Sequence, residues 1–190
     1  MKFIFDFDDV LFNSTKQLKK RIYMCLDKIG VSYDTAEAYY KEVRGGEFSL
    51  KNFISNLLAQ EKIKNIKMED VYKDIMSKCP DFVNKELVEV VRSLGKENCY
   101  LVTYGEYEFN KAKVEKSGLA PLFCEVNIVP GSKKEIIYDI CNRNKDDKVL
   151  FVDDKVKFFE DLDFKKYPNL KTILYDEQGL GKLISVLSQS

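Results

Sequence analysis

Lys2-Phe3-Ile4-Phe5-Asp6-Phe7-Asp8-Asp9-Val10-Leu11 decides how the rest of the chain is read. The run is apolar and aromatic up to Asp6, and acids then take over. An uninterrupted apolar segment of this length fits a strand buried on both faces, as in a parallel sheet covered by helices. The same signature recurs at Cys99-Tyr100-Leu101-Val102, Val126-Asn127-Ile128-Val129, Val149-Leu150-Phe151-Val152 and Thr172-Ile173-Leu174-Tyr175. Helical periodicity occupies 106–117, 133–142 and 156–162, and 180–187 reads as a closing helix. Strand and helix in alternation predict an α/β protein with a doubly wound parallel sheet.

Between the first and second strands the pattern changes to helix alone. Leu18, Ile22, Leu26 and Ile29 share one helical face, and Gly30 is placed to end that helix. Further helices are expected over 35–43, 50–60 (with Ser49 as N-cap) and 68–76. The Arg44-Gly45-Gly46 break separates two of them. Pro80 marks the return to the sheet, and a helix over 85–94 feeds the second strand. The expected organisation is an α/β core of residues 1–13 and 83–190 with a small all-helical cap of residues 14–82. In open α/β sheets ligands bind at the carboxyl ends of the strands. An insertion leaving just after the first strand starts at that end and is positioned to cover it.

Composition narrows the chemistry. The 190 residues are 45% hydrophobic and 33% charged, enough apolar material for one domain with a core. Lys+Arg 31 balances Asp+Glu 31, which argues against a broad basic surface, so no nucleic-acid partner is expected. The absence of histidine removes Ser-His-Asp and Cys-His nucleophile pairs and every His-ligated metal. Five scattered cysteines without a CxxC pair fit reduced thiols of a cytoplasmic protein. Acids at positions 6, 8 and 9 interrupt any signal-peptide core, and no stretch approaches a membrane span, so no membrane association is expected.

Polar residues end the strands that should be central. The first gives Asp6, Asp8 and Asp9, the second Thr103, and the fourth Asp153-Asp154, while Ser132-Lys133-Lys134 opens the helix after the third. In a parallel sheet these ends converge, and crowded carboxylates call for a counter-charge. An oxygen-only ligand set favours Mg²⁺ over zinc. A Mg²⁺ site beside a lysine and a hydroxyl suits a phosphoryl group, whose phosphorus a carboxylate can attack. In the Asp6-Phe7-Asp8 spacing one acid attacks while the other donates a proton and later activates water.

These residues resemble the haloacid dehalogenase (HAD) superfamily, most of whose members are Mg²⁺-dependent phosphatases. The apolar strand with DxDx[VT] is met as Phe3 to Leu11, the strand ending in Thr as Leu101-Val102-Thr103, the lysine at Lys133 or Lys134, and the strand with paired acids as Leu150 to Asp154. All four stand in the family's order, and the helical stretch corresponds to the family's cap. The resemblance implies Asp6 as nucleophile and Asp8 as general acid/base. Thr103 would bind the phosphoryl group and the lysine would stabilise it, with Lys133 preferred on its spacing to Glu135-Ile136-Ile137. Asp6, the backbone carbonyl of Asp8 and Asp154 would ligate Mg²⁺, with Asp153 bound through water or orienting the ligands. Asp9 fills a position where the family often has Gly, and a surface or capping role is expected of it. In the insertion, Arg44 reads as a solvated loop residue and Tyr23, Tyr39 and Tyr40 as packing residues.

The expected function is a cytoplasmic Mg²⁺-dependent phosphatase hydrolysing a small phosphorylated metabolite through an aspartyl-phosphate. A phosphotransferase or phosphomutase on the same core, and a non-catalytic metal- or phosphate-binding module, are the alternatives.

Overall fold

A computed structural model describes residues 1–44 and 48–189. Gly45 and Gly46 of the expected break lie outside the described residues.

Strand β1 (Lys2–Phe5) runs parallel between β2 (Cys99–Tyr104) and β4 (Val149–Asp153). β3 (Glu125–Val129) lies outside β2, and β5 (Leu170–Leu174) lies outside β4. The order is β3-β2-β1-β4-β5, all parallel. Phe5 is registered against Leu101 on one side and Val152 on the other, so the first, second and fourth strands end at one edge. Alternate residues feed two cores. Phe3, Phe5 and Leu101 pack on one face with Leu87, Val91 and Leu183, which belong to α5 (Lys85–Leu94) and α9 (Gly179–Leu187). Ile4, Val102 and Phe151 pack on the other with Ile137, Ile140 and Cys141 of α7 (Lys134–Arg143). This is the doubly wound parallel sheet expected from the apolar strands, buried on both faces.

Two elements deviate from the sequence reading. β2 continues through Tyr104, so Thr103 lies inside the strand rather than closing it. The helix expected over 156–162 is one turn, α8 (Lys157–Glu160); the chain leaves it for a new turn in which Asp163 Oδ1 accepts from Lys165 N at 3.1 Å and Lys166 N at 3.0 Å.

The inserted segment leaves β1 through a π turn, Ser14–Leu18, before α1 (Lys19–Asp27). Leu18 N donates to Asn13 O at 3.1 Å, the wide closure of a π turn, a form that collects at functional sites. Gly30 ends α1 at φ +96°, a conformation that disfavours any side chain. Ser32 caps α2 (Tyr33–Val43) by accepting from Thr35 N at 3.1 Å. α3 (Leu50–Gln60), with Ser49 as its N-cap, and α4 (Met68–Met76) follow. Their inward residues, among them Ile54, Leu57 and Ile75, are fully buried and continuous with the core on the Phe5 face of the sheet. The chain returns beside its exit: Asn13 N donates to Phe82 O at 2.8 Å and Asn84 N to Leu11 O at 2.9 Å. No helix among the described residues is long and apolar enough to cross a membrane.

Candidate active site

Asp6 follows β1 directly. Its amide still donates to Val152 O at 2.9 Å, so the residue remains tied to β4, and its side chain is buried. Lys133 sits at the start of α7 with its ammonium 2.6 Å from Asp6 Oδ1 and 2.6 Å from Asp153 Oδ2. The Phe158 ring closes over this ammonium, 4.3 Å from its centroid. Lys134 takes no part: its ammonium lies over the Tyr138 ring, 5.7 Å from the centroid. The geometry thus separates two lysines that are adjacent in sequence.

Asp153 ends β4 fully buried, and its Oδ1 accepts from Lys155 N at 2.8 Å. Asp154 comes next. Its Oδ1 is buried without a hydrogen-bond partner among the described residues, and Lys155 Nζ lies 3.6 Å away. One oxygen from each of Asp6, Asp153 and Asp154 lies within 4.8 Å of the others. An oxygen-only donor set that includes a buried carboxylate oxygen without a hydrogen bond fits a hard divalent cation such as Mg²⁺. The Asp8 side chain stands outside this cluster; its expected contribution there is a main-chain carbonyl.

Electrostatics follow from the burial. Desolvation pushes the Asp6 carboxyl up to about 6 despite the pull of Lys133, with Asp153 and Asp8 adding to the rise. Burial raises Asp153 and Asp154 as well, against Lys133 and Lys155 respectively. For Lys155 burial works to lower the pKa, but Asp154, Asp6, Asp8 and Asp9 together outweigh it and raise the group. A cluster of raised acids is one in which negative charge is under-compensated, which a bound cation corrects.

Thr103 is buried, and its Oγ1 has no hydrogen-bond partner among the described residues. A buried hydroxyl without a partner, at the sheet edge where the acids gather, is free to donate to an incoming oxygen.

Asp8 is held by a residue that the sequence reading did not single out. Lys113 of α6 (Tyr107–Lys116), buried in its own right, places its ammonium 2.5 Å from Asp8 Oδ1 and 2.6 Å from Oδ2. The Phe7 and Phe109 rings flank the ammonium at 5.6 and 4.8 Å. Ser14, at the start of the π turn, also donates its hydroxyl to Asp8. The available signal was negative: Tyr107-Glu108-Phe109-Asn110-Lys111-Ala112-Lys113 carries no clean apolar stripe, so the inward face of this helix had to hold polar groups. Asp9 adopts φ +60°, a conformation natural to glycine that Asp tolerates, and its carboxylate accepts from Thr15 N at 2.8 Å and from the Thr15 hydroxyl.

A cavity of about 500 Å³ opens beside Asp8 and Lys113, lined on one side by Tyr104 and Phe109 of the α/β part and on the other by Tyr23, Tyr40 and Phe53 of the insertion. Arg44, expected to be solvated, is exposed but borders this cavity. Tyr23 and Tyr40 pack and line it at once, whereas Tyr39 stacks on Phe53 and bonds Asn56 through its hydroxyl.

No protein-family model and no curated protein matches the chain. Solved structures do. A haloacid dehalogenase-like hydrolase of Burkholderia xenovorans is similar at TM-score 0.73 and 14% identity, over 98% of this chain and 96% of that one. A protein described as a beta-phosphoglucomutase of Thermotoga maritima gives 0.60 and 16%, over 100% and 99%. The HAD-hydrolase YfnB of Bacillus subtilis, bound to magnesium, gives 0.55 and 15%, over 98% and 97%. The similar structures also include dehalogenases. At such identities the likeness is one of fold, and the chain has the fold of the HAD-like hydrolases.

Proposed function

We propose that this chain, built on the HAD-like hydrolase fold, is a Mg²⁺-dependent phosphatase that acts on a small phosphomonoester through an aspartyl-phosphate on Asp6. The observation that carries the reading is the buried Asp6 carboxylate, 2.6 Å from Lys133 and within 4.8 Å of oxygens from Asp153 and Asp154.

An Asp6 oxygen forms a bond to phosphorus as the bond from phosphorus to the leaving oxygen breaks. Lys133 and Thr103 take the charge on the remaining phosphoryl oxygens. Asp8 delivers a proton to the leaving oxygen and then removes one from the water that attacks the aspartyl-phosphate, which releases phosphate and restores Asp6. Lys113 and Ser14 fix the Asp8 carboxyl, so reaching the leaving oxygen requires one of these bonds to be exchanged. Asp6, Asp154 and the Asp8 carbonyl would hold Mg²⁺, with Asp153 orienting the set. The cation supplies charge compensation between a carboxylate and a phosphate that otherwise repel.

Turnover of a generic aryl phosphate should disappear in Asp6→Asn and, for the unmodified chain, in EDTA, returning on addition of Mg²⁺. Full activity of Asp6→Asn would reject the covalent step. A dehalogenase is disfavoured because Asp8 and the Asp153-Asp154 pair have no task in displacement at carbon. A phosphotransferase shares these residues, and release of inorganic phosphate, as opposed to transfer to a second alcohol, separates the two.

A further inference from the structure

The cavity of about 500 Å³ is lined by Asp8, which serves the leaving oxygen in the reading above, and not by Asp6, Thr103 or Lys133; it is the space that would receive the alcohol part of the ester. Several charged side chains bordering that space are already engaged, whereas Tyr23 Oη and Asn110 Oδ1 have no hydrogen-bond partner among the described residues. Asp9 is bonded to Thr15, Glu106 accepts from the amides of Glu108 and Phe109, and Lys19 is paired with Glu37 at 3.1 Å. Arg44 stands exposed at the rim. The interior also offers a connected set of rings. Tyr40 and Phe48 lie 5.5 Å apart, Phe48 and Phe53 5.5 Å, Tyr40 and Phe53 6.3 Å, and Tyr23 and Tyr40 6.4 Å, and Phe48 meets Phe109 of α6 at 6.0 Å. All five border the cavity. The array therefore crosses from the insertion to the α/β part, and its face continues the cavity away from the reacting end.

We infer that the substrate is a phosphate ester whose alcohol carries a flat aromatic ring, and that this ring lies against Tyr40, Phe48 and Phe109. The inference rests on the phosphatase reading above. A planar ring loses little on leaving water and gains offset or edge-to-face contacts across this array, whereas the two buried unpartnered polar atoms of the lining, Tyr23 Oη and Asn110 Oδ1, are too few to serve every hydroxyl of a polyol. Binding energy from this remote part serves both affinity and selection among esters.

The test compares esters of primary alcohols, so that leaving-group reactivity is similar: benzyl phosphate and a nucleoside 5′-monophosphate against glycerol 3-phosphate and glucose 6-phosphate. The ring-bearing esters should exceed the polyol esters at least tenfold in kcat/KM, chiefly through KM. Tyr40→Leu and Phe109→Leu should each reduce that ratio severalfold. Hydrolysis of all four esters at similar rates, or a preference for the polyols, overturns the inference and leaves the phosphatase reading standing. Absence of turnover on every ester, with Mg²⁺ present, overturns both. If the variants fail to fold, the ratio measured on the unmodified chain still decides.

Discussion

Lys133 stands between two carboxylates in a place that water barely reaches, and it is the residue on which the local charge balance turns. Replacing it with Met leaves Asp6 and Asp153 facing each other without their cation. Breaking a buried pair in this way costs about 3–5 kcal/mol. Chemical denaturation of metal-free Lys133→Met should show a loss of that order at pH 8 and a smaller one at pH 5, where Asp6 can take up a proton instead. Lys113 acts at one remove. Its ammonium reaches both Asp8 oxygens and is itself flanked by the Phe7 and Phe109 rings, so it sets where the Asp8 carboxyl points. Lys113→Met keeps most of the packing and loses the orientation; a misplaced acid/base lowers turnover on the order of 100-fold. Steady-state kinetics should show this as a fall in kcat with KM little changed, and an unaltered kcat would remove Lys113 from this role. The acids at 6, 8, 153 and 154 were legible because each ends an apolar run. Lys113 was not, because a lysine inside a helical stretch is ordinarily solvated and only the fold buries it.

At the scale of elements, the junction between sheet and insertion depends on one side chain more than on any helix. Asn84 caps α5 by accepting from Leu87 N at 3.3 Å, and its amide nitrogen donates to Val10 O at 3.0 Å and to the Tyr175 hydroxyl at 2.9 Å. It thus joins the exit of the inserted segment, its return and the loop after β5. Asn84→Ala loses a cap worth about 1 kcal/mol and leaves the Val10 carbonyl short of a donor, for a total of about 2–4 kcal/mol. Ser32→Ala, which removes the ordinary cap of α2, should cost about 1 kcal/mol. Equal losses in thermal or denaturant unfolding would contradict the junction role. The helices of the insertion could be read from their spacing and caps. The π turn before them could not, since its wide closure accompanies the bonds that Asp8 and Asp9 draw from Ser14 and Thr15.

For the whole molecule, the clustered acids couple stability to pH and to metal. Asp6 has an ordinary value of 3.8 and is raised to about 6 by burial in the folded chain. Between these values the folded state binds more protons than the unfolded one, so its stability falls as pH rises through that interval. Asp153 and Asp154 are raised too and act in the same direction. Glu37 and Glu125, held low by their partners, complete their own opposite contribution below about pH 4.5, the ordinary value from which they are lowered. In EDTA the melting temperature should therefore drop from about pH 4.5 to above 6, while Mg²⁺ should raise it increasingly over the same interval. A gap between the two conditions that stays constant with pH would contradict this linkage. The sequence by itself determined the parallel sheet, the long helical insertion and the gathering of acids at strand ends, because burial period and strand polarity are properties of neighbouring residues. It did not determine the strand order β3-β2-β1-β4-β5, the choice of Lys133 over its neighbour, or the ring-lined cavity between insertion and sheet. Lys113 and Asp8 stand 105 positions apart in the chain yet touch in space. Ionic and packing energies depend on that spatial distance alone, and only the folded chain sets it.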